Sequence, residues 1–433
     1  MSAALSIAAS AVDPGLLALP GSTALAEWPS RDIVWLPKGL SRHLVRFANL
    51  SGRVVAIKET TAEMARREYE MLGSLTRMDV PCVERVAVID GRGDASGAPL
   101  PAALVTAHLK FALPYRALFT QTLRPHTASR LVDALALLLV RLHTMGFFWG
   151  DVSLSNTLFR RDAGAFAAYL VDAETGELHE AGLTHGQREH DLDVARTNIA
   201  GEIMDLEAGG RLEGGVDAVA VADGIVSSYR SLWSALTDKE TFATNEAWRI
   251  TERVRRLNDI GFDIGEMSIE TERDGTRVSI TPKVVDAGYH QRRLLRLTGL
   301  DVEENQARRL LNDLDEFRAR VSRLGSDEEM VAHEWLTRVF EPVVKAIPFE
   351  LRAKLEPAEV FHQLLEHRWY MSQARGESVP LAESLASYID DVLRHRRDEA
   401  TVMGPPETMA LTVVSDAAAD DSGSGEVDWR DLV

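Results

Sequence analysis

The sequence predicts an α+β fold in which a β-rich part is followed by a mainly helical part and then by a mainly helical unit containing a β-hairpin. Short segments rich in β-branched residues lie before position 110, and strongly apolar helical stretches occupy much of 129–236. After position 246 the helices become charged and amphipathic. The length of 433 residues is enough for two or three domains.

The first part alternates turn signals with strand-like runs. Residues 1–30 are rich in Ala, Ser, Pro and Gly and are predicted to be poorly ordered. A helix is predicted over 60–78, capped by Thr60 or Thr61 and carrying a mostly apolar stripe. The predicted strands around this helix are 32–36, 43–48, 53–58, 82–89 and 100–109.

The rest of the chain is mainly helical. A buried helix is predicted over 129–145, ending at Gly146, and two short strands follow at 157–159 and 168–172. The organisation is therefore predicted as a domain over 31–236, a second over 246–398 and a disordered acidic tail over 403–433. The other predicted helices are 190–207, 216–236, 246–260, 288–298, 303–323, 327–346, 357–372 and 381–396, with a hairpin over 266–285 that turns at Asp274-Gly275.

Composition excludes several classes of protein. The formal net charge of −18 disfavours nucleic acid or an anionic membrane as a partner. The single cysteine, Cys82, excludes a disulfide framework. The longest apolar run, 131–142, is too short and too charged for stable insertion into a membrane, and the N-terminus lacks a basic signal-peptide region. A cytoplasmic location is therefore expected.

Lys58 ends a predicted strand after four apolar residues. A lysine in this position would hold its ammonium group in a cleft, where it can pair with the phosphate oxygens of ATP. The alternative is an edge lysine whose ammonium reaches solvent. Glu68, in the next helix, is the favoured partner of Lys58 because Leu72 places it on the buried face; Glu63 and Glu70 are the alternatives.

The segment 142–159 carries the strongest signal. An apolar helix ends at a glycine, and Asp151 and Asn156 follow with four residues between them, before an apolar strand. In a phosphoryl-transfer site, an aspartate accepts or orients the acceptor hydroxyl and an asparagine binds Mg²⁺. Asp172, at the end of the next apolar strand, is a second candidate Mg²⁺ ligand. The alternative for these residues is a set of turn-forming side chains.

These residues resemble the protein-kinase-like superfamily over about 31–236, and the compact loop 146–159 looks most like the bacterial lipopolysaccharide-kinase-like (Kdo kinase) branch. The resemblance implies a two-lobed kinase-like domain that uses ATP and Mg²⁺. It implies that Lys58 binds phosphates, Glu68 pairs with it and Asp151 is catalytic. Asn156 and Asp172 would then be the metal ligands.

Three positions depart from the usual kinase pattern. The stretch 36–43 has one glycine, Gly39, instead of a GxGxxG motif, so Gly39 is the candidate for the phosphate-covering loop. Trp149 stands where histidine is usual. Ala173 and Glu174 replace Phe-Gly after the metal-binding aspartate, and Glu174 is a further candidate to assist the metal.

The segment 246–372 resembles a domain of unknown function found C-terminal to such kinase-like domains in bacteria. It contains a basic cluster of Arg292, Arg293 and Arg296, which either binds an anionic ligand or forms structural ion pairs. His362 and His367 are five residues apart, a spacing that does not stack on a helix, so no metal is assigned to them.

Three functions are consistent with this pattern. The first is an ATP-dependent phosphotransferase acting on an unidentified hydroxyl acceptor, which is a small molecule, a sugar or a protein. The second is a nucleotide-binding pseudokinase or regulator without turnover. The third is a scaffold with a vestigial kinase fold, which the retention of Asp151, Asn156 and Asp172 together disfavours.

Overall fold

The computed structural model describes residues 5–36, 43–119, 125–212, 216–238, 240–243, 262–263, 266–271, 277–283, 286–321 and 327–400, and the single positions 249, 252 and 255. Five antiparallel strands form the first sheet, in the order β1-β4-β5-β3-β2. Thr61 caps helix α1, which buries Ala65 against the sheet. The elements of this lobe are β1 (Ser6–Ala9), β2 (Val45–Leu50), β3 (Arg53–Thr60), α1 (Ala62–Arg77), β4 (Arg85–Asp90) and β5 (Ala102–Ala107).

The N-terminal segment is ordered, which corrects the expectation from its composition. Strand β1 pairs with β4, and Leu16, Leu25 and Trp28 are buried on the face of the sheet opposite α1. The guanidinium of Arg92 is buried and donates hydrogen bonds to the carbonyls of Gly21 and Thr23, which attaches the segment to the sheet. A few large apolar side chains are enough to order a segment otherwise made of small residues.

The second lobe is mainly helical and is built around α3. The apolar face of α3 packs against α4, α5 and the strands that follow α3. Helix α4 starts five residues before its predicted start because Thr184 and Gln187 form a capping box. The elements are β6 (Leu113–Pro114), α2 (Tyr115–Phe119), α3 (Pro125–Thr144), β7 (Phe147–Phe148), β8 (Thr157–Asp162), β9 (Ala165–Leu170), β10 (Glu177–Leu178), α4 (His185–Ala208) and α5 (Ala218–Thr237).

The C-terminal unit combines a small sheet with a helical core of its own. The predicted hairpin is present as β13 and β14, and β11 adds a third strand that the sequence did not predict. Its elements are β11 (Glu240–Ala243), β12 (Phe262–Asp263), β13 (Glu266–Thr271), β14 (Arg277–Lys283), β15 (Asp286–Ala287), α6 (Tyr289–Thr298), α7 (Glu304–Val321), α8 (Glu328–Trp335), α9 (Glu341–Ala346), α10 (Pro357–Arg375) and α11 (Leu381–Asp391). A π-helical turn, Leu336–Phe340, joins α8 to α9.

Some predictions fall on residues outside the described part of the chain. These are the Asp274-Gly275 turn, the tail over 403–433 and most of the helix over 246–260. The predicted fold class is confirmed: a β-rich lobe and a mainly helical lobe are followed by a mainly helical α+β unit. Within the described residues, the helices are too short or too polar to cross a membrane.

The β8–β9 hairpin is the main contact surface for the C-terminal helices. Asp162, at the end of β8, accepts hydrogen bonds from the backbone amides of Asn305 (3.1 Å) and Gln306 (2.7 Å). It also accepts one from Nδ2 of Asn305 at 2.8 Å. Asp162 therefore caps the first turn of α7 from another part of the chain.

Charged side chains surround this cap. Arg160 forms ion pairs with Glu303, at 2.9 Å, and with Glu356. The hydroxyl of Tyr169 donates to Glu303 at 2.7 Å, and Arg161 pairs with Glu399. The hairpin is thus joined to the C-terminal helices mainly by hydrogen-bonded charges.

Candidate active site

The structure brings Lys58 and Glu68 together in the cleft between the two lobes. Lys58 lies on β3, and its Nζ donates to Oε2 of Glu68 at 2.9 Å. Glu68 is only 2% exposed, whereas Glu63 and Glu70 lie exposed on α1. Of the three glutamates considered from the sequence, Glu68 is therefore the one that orients the lysine.

Two more carboxylates, both after β9, contact the same ammonium group. Nζ of Lys58 lies 2.7 Å from Oδ2 of Asp172 and 2.9 Å from Oε2 of Glu174. The backbone amide of Glu174 donates to Oδ1 of Asp172 at 3.0 Å, which holds the two acids in one turn. Nε2 of His43 lies 3.1 Å from Glu174. Lys58 is thus surrounded by three acids.

The same acids form a donor set suited to a metal ion. Oxygen atoms of Glu68, Asp172 and Glu174 lie within 4.8 Å of one another. Carboxylate oxygens are the ligands that Mg²⁺ prefers in proteins. The sequence predicted Asp172 in this role with Asn156 and named Glu174 as a further candidate, and the structure brings Glu174 together with Asp172 and Glu68.

Electrostatics in the cleft favour an additional cation. Burial alone would lower the pKa of Lys58, but the charges of Glu68 and Asp172 outweigh it, so the pKa of this ammonium group is raised. Burial and the charge of Asp172 raise the pKa of Glu68 to about 8, against the opposing effect of Lys58. One lysine therefore does not fully compensate the three carboxylates.

Asp151 and Asn156 lie in the loop between β7 and β8. Nδ2 of Asn156 donates to the backbone carbonyl of Asp151 at 3.0 Å and to its Oδ2 at 3.1 Å. Nδ2 of Asn198, on α4, donates to the other carboxylate oxygen of Asp151 at 3.3 Å. Gly146, just before β7, has a φ of 78°, and a Cβ added there would lie 2.4 Å from the carbonyl oxygen of His179, so only glycine fits.

Two acids that sequence reasoning missed hold this loop, the buried Asp191 and the partly buried Glu202. Asp191 accepts hydrogen bonds from the backbone amides of Trp149 (2.8 Å) and Gly150 (2.7 Å). Glu202 accepts from the backbone amides of Leu154 (2.7 Å) and Ser155 (3.0 Å). Both acids lie on α4, whose many polar residues hide them in the sequence.

Trp149, which replaces the usual histidine, has a clear structural position. Its side chain is fully buried, and its indole Nε1 donates to the carbonyl of Asp172 at 3.0 Å. Its own carbonyl accepts from Oγ1 of Thr175 at 2.7 Å. The tryptophan therefore connects the loop of Asp151 to the turn of Asp172 and Glu174.

The cleft extends from Lys58 along an apolar wall formed by both lobes. Val45, Ala56, Leu104 and Leu158 are among the residues that line it. A wall of this kind suits the planar base of a nucleotide whose phosphates lie near a lysine. On the opposite side of Asp151 a polar surface opens, with the side chains of Ser153, Thr197, Asn198 and Asp205.

Gly39, the predicted phosphate-covering residue, lies outside the described residues. In the C-terminal unit, Arg293 pairs with Glu328 at 2.8 Å, and Arg292 lies 3.8 Å from Asp79, which agrees with the structural ion-pair alternative.

The two histidines considered together have separate partners. His362 lies 3.8 Å from Glu366, and Nε2 of His367 lies 2.9 Å from the hydroxyl of Ser387. They do not form a common metal site in the described structure.

Comparison with known proteins gives two findings. A family model described as a domain of unknown function, DUF4032, matches residues 231–393. This overlaps the predicted 246–398 unit and begins within α5. A solved structure, "WaaP in complex with acyl carrier protein", is similar at 14% identity and a TM-score of 0.34, covering 59% of this chain and 99% of that chain. A search of curated proteins found no match.

Proposed function

We propose that this chain is an ATP-dependent phosphotransferase that transfers the γ-phosphate of ATP to a hydroxyl acceptor. One observation carries the proposal. Lys58 contacts Glu68 and Asp172, while Asp151 and Asn156 are hydrogen-bonded to each other in the same cleft. Packing of the fold does not require these five polar residues to converge, whereas phosphoryl transfer requires that set of groups.

Each residue has a proposed role that fits its position. Lys58 would bind phosphate oxygens, and Glu68 would orient its ammonium group. Asp172 and Asn156 would hold Mg²⁺, which neutralises charge on the phosphates when bound. Glu174, within contact distance of Lys58, would assist with the metal.

Asp151 would accept or orient the proton of the acceptor hydroxyl. A bond forms between the acceptor oxygen and the γ-phosphorus, and the bond from that phosphorus to the β–γ bridging oxygen breaks. ADP leaves, and the hydroxyl proton passes to Asp151 and then to solvent. Asn198 and Asn156 keep the carboxylate in position by hydrogen bonds to its two oxygens.

The acceptor is proposed only as a hydroxyl compound. The surface beyond Asp151 carries hydroxyl, amide and carboxylate groups from Thr197, Asn198 and Asp205. Such a surface suits a polar acceptor with several hydrogen-bonding groups. A sugar is one such acceptor, in line with the lipopolysaccharide-kinase-like resemblance of the loop, and small molecules and protein hydroxyls are the others.

The test compares Asp151→Asn with Asp193→Asn, a control at an exposed position on α4. Each variant and the wild type are incubated with labelled ATP, Mg²⁺ and fractions of a bacterial lysate, and phosphate transfer to components of each fraction is measured. We expect Asp151→Asn to lower transfer by roughly 10²- to 10⁴-fold, the usual contribution of a general base. Its melting temperature should stay near that of the wild type, and the control should be fully active. Equal transfer by Asp151→Asn and the wild type would contradict the proposal.

A second candidate is a nucleotide-binding pseudokinase. The contact of Glu174 with Lys58 favours it, because this carboxylate occupies part of the lysine's coordination that phosphates would need. A pseudokinase would show a rise in melting temperature with Mg-ATP but no transfer in any fraction. Absence of any thermal shift with nucleotides would reject both candidates.

A further inference from the structure

A second polar cavity lies where the C-terminal helices meet the turn of the β8–β9 hairpin. Its volume is about 620 Å³, within the range of small-molecule sites. The hairpin contributes Ala163, α7 contributes Arg308 and Arg309, and α10 contributes His362 and Trp369. Both units of the protein therefore form its walls.

The lining of this cavity is basic in an otherwise acidic chain. Arg308 and Arg309 lie on it with His290 and His362, and Glu366 is its one carboxylate among the described residues. Glu359 lies in an adjoining cavity, where its carboxylate accepts hydrogen bonds from the backbone of Ala163 and the amide of Gln363. The whole chain has a net charge of −18, so two adjacent arginines that line one cavity give this region a local charge of the opposite sign.

Two buried nitrogen atoms here have no hydrogen-bond partner within the described structure. They are Nε of Arg309 and Nδ1 of His362, whose residue is 8% exposed. Leaving a buried polar atom unpaired is costly, so such atoms are usually satisfied by water or by a ligand. Burial lowers the pKa of His362, and the charges of Arg309 and Arg130 act in the same direction against Glu359 and Glu366. Burial therefore favours the neutral form of the imidazole, which carries one N–H.

The outer wall of the cavity is aromatic. Trp369 and Tyr370, at the C-terminal end of α10, have exposures of 56% and 62%, and their ring centroids lie 4.9 Å apart in an edge-to-face arrangement. Large exposed aromatic side chains beside a cavity favour contact with a flat or apolar group.

We propose that this cavity binds a phosphate-bearing small molecule, with the phosphate on Arg309 and His362 and a planar group against Trp369. Arginine guanidinium groups bind phosphate by paired, charge-assisted hydrogen bonds, and Arg308 and Arg309 both line this cavity. The site is separate from the cleft of Lys58 and does not depend on the proposed phosphotransferase activity.

The experiment measures the binding of pyrophosphate and of AMP to the full chain by isothermal titration calorimetry without ATP. Four variants are compared with the wild type: Arg309→Ala, Trp369→Ala, Lys58→Ala and Arg338→Ala. Arg338 is a matched control because it is an exposed arginine on the π-helical turn, away from the cavity lining.

We expect Arg309→Ala to weaken the binding of both probes by roughly 10- to 100-fold, since it removes hydrogen bonds to a charged group. Trp369→Ala, at an exposed position that does not endanger the fold, should weaken AMP but not pyrophosphate. Lys58→Ala and Arg338→Ala should leave binding at the cavity unchanged. Any separate binding of the probes in the cleft would be lost in Lys58→Ala only.

Three results would overturn the proposal. They are the absence of binding of either probe to the wild type at millimolar concentration, unchanged affinity in Arg309→Ala, and loss of all binding in Lys58→Ala. The last result would place the anion in the cleft. Equal weakening of AMP and pyrophosphate by Trp369→Ala would reject the planar group and retain only a phosphate ligand such as pyrophosphate itself.

Discussion

Two charge clusters in this molecule each combine one cation with three acids. They differ in which groups donate hydrogen bonds to those acids. In the cleft, Lys58 is the main partner of Glu68, Asp172 and Glu174. At the β8–β9 hairpin, Arg160 accompanies Glu303, Glu356 and Asp162.

The acids at the hairpin have neutral donors of their own. Asp162 accepts three hydrogen bonds from the first turn of α7, and Glu303 accepts one from the hydroxyl of Tyr169. In the cleft, Glu68 depends on Lys58, and the acids face an open space. The difference teaches that saturated buried charge indicates a structural contact, whereas uncompensated charge beside a cleft indicates a place for a ligand.

Asp172→Asn should give the largest functional effect without a loss of stability. It removes a proposed metal ligand, so phosphate transfer and the rise in melting temperature with Mg-ATP should both be lost. Because it also removes one of three crowded negative charges, the ligand-free melting temperature should stay equal or rise. Differential scanning fluorimetry with and without Mg-ATP measures both effects, with Asp193→Asn as the control. A large fall in the ligand-free melting temperature would show that the cleft cluster is structural.

Asp162→Ala should give the largest loss of stability. It leaves the first turn of α7 without a cap and several buried donors without a partner, at a cost of about 3 kcal/mol in unfolding free energy. Urea unfolding measures this, and Asp193→Ala, on the exposed face of α4, should stay within about 0.5 kcal/mol of the wild type. An equal effect of the two substitutions would remove the distinction between the clusters.

The two clusters should also differ in the pH range over which they change the unfolding free energy. The pKa of Glu68 is raised from 4.5 to about 8, so between these values the folded chain holds a proton that the unfolded chain has released. The unfolding free energy contributed by Glu68 therefore falls as pH rises through this window. At the hairpin, burial raises the pKa of Asp162 to about 6 and that of Glu303 to about 7, so their contributions fall over a lower range.

Urea unfolding at pH 6, 7 and 8 tests this ordering. In Glu68→Gln the decline between pH 7 and 8 should become shallower, while the decline below pH 7 that the hairpin acids contribute should remain. In the wild type, saturating Mg-ATP should also make the fall in unfolding free energy between pH 7 and 8 shallower, because the added cation lowers the pKa of Glu68. If Glu68→Gln declines as steeply as the wild type between pH 7 and 8, the assignment of that decline to the cleft is wrong.

Arg338→Ala should give the smallest effect. Arg338 pairs with Glu334 at 2.6 Å on an exposed surface, where its side chain is 71% accessible to solvent. Exposed pairs of this kind contribute roughly 0.5 kcal/mol or less. A loss of unfolding free energy above this level, measured by urea unfolding, would mean that exposed ion pairs in this chain are more stabilising than the comparison assumes.

The sequence was most informative where a candidate functional side chain lies near the end of a regular element. Lys58 lies two residues before the end of an apolar strand, and Asp151 and Asn156 follow a helix that stops before a glycine. The architecture was also predictable, because apolar periodicity persists over long segments such as α3 and α7.

Residues that act through distant partners could not be predicted. Asp191 holds an amide 42 positions away, and on a polar helix it looks like any solvated acid. The N-terminal segment was predicted to be disordered because its composition is dominated by small residues. Its order depends on Leu16, Leu25 and Trp28, whose burial requires a sheet made later in the chain.

The cap that Asp162 provides has a consequence for how this chain can be divided. Helix α7 begins on a carboxylate that lies 143 positions earlier, so a cut in the gene after α5 would separate the helix from the residue that starts it. Each fragment would expose charged groups that were buried or partly buried: Asp162 and Arg160 on one side, Glu303 and Glu356 on the other. The two halves are therefore expected to be poor candidates for separate expression, for exchange by recombination or for fusion to unrelated partners.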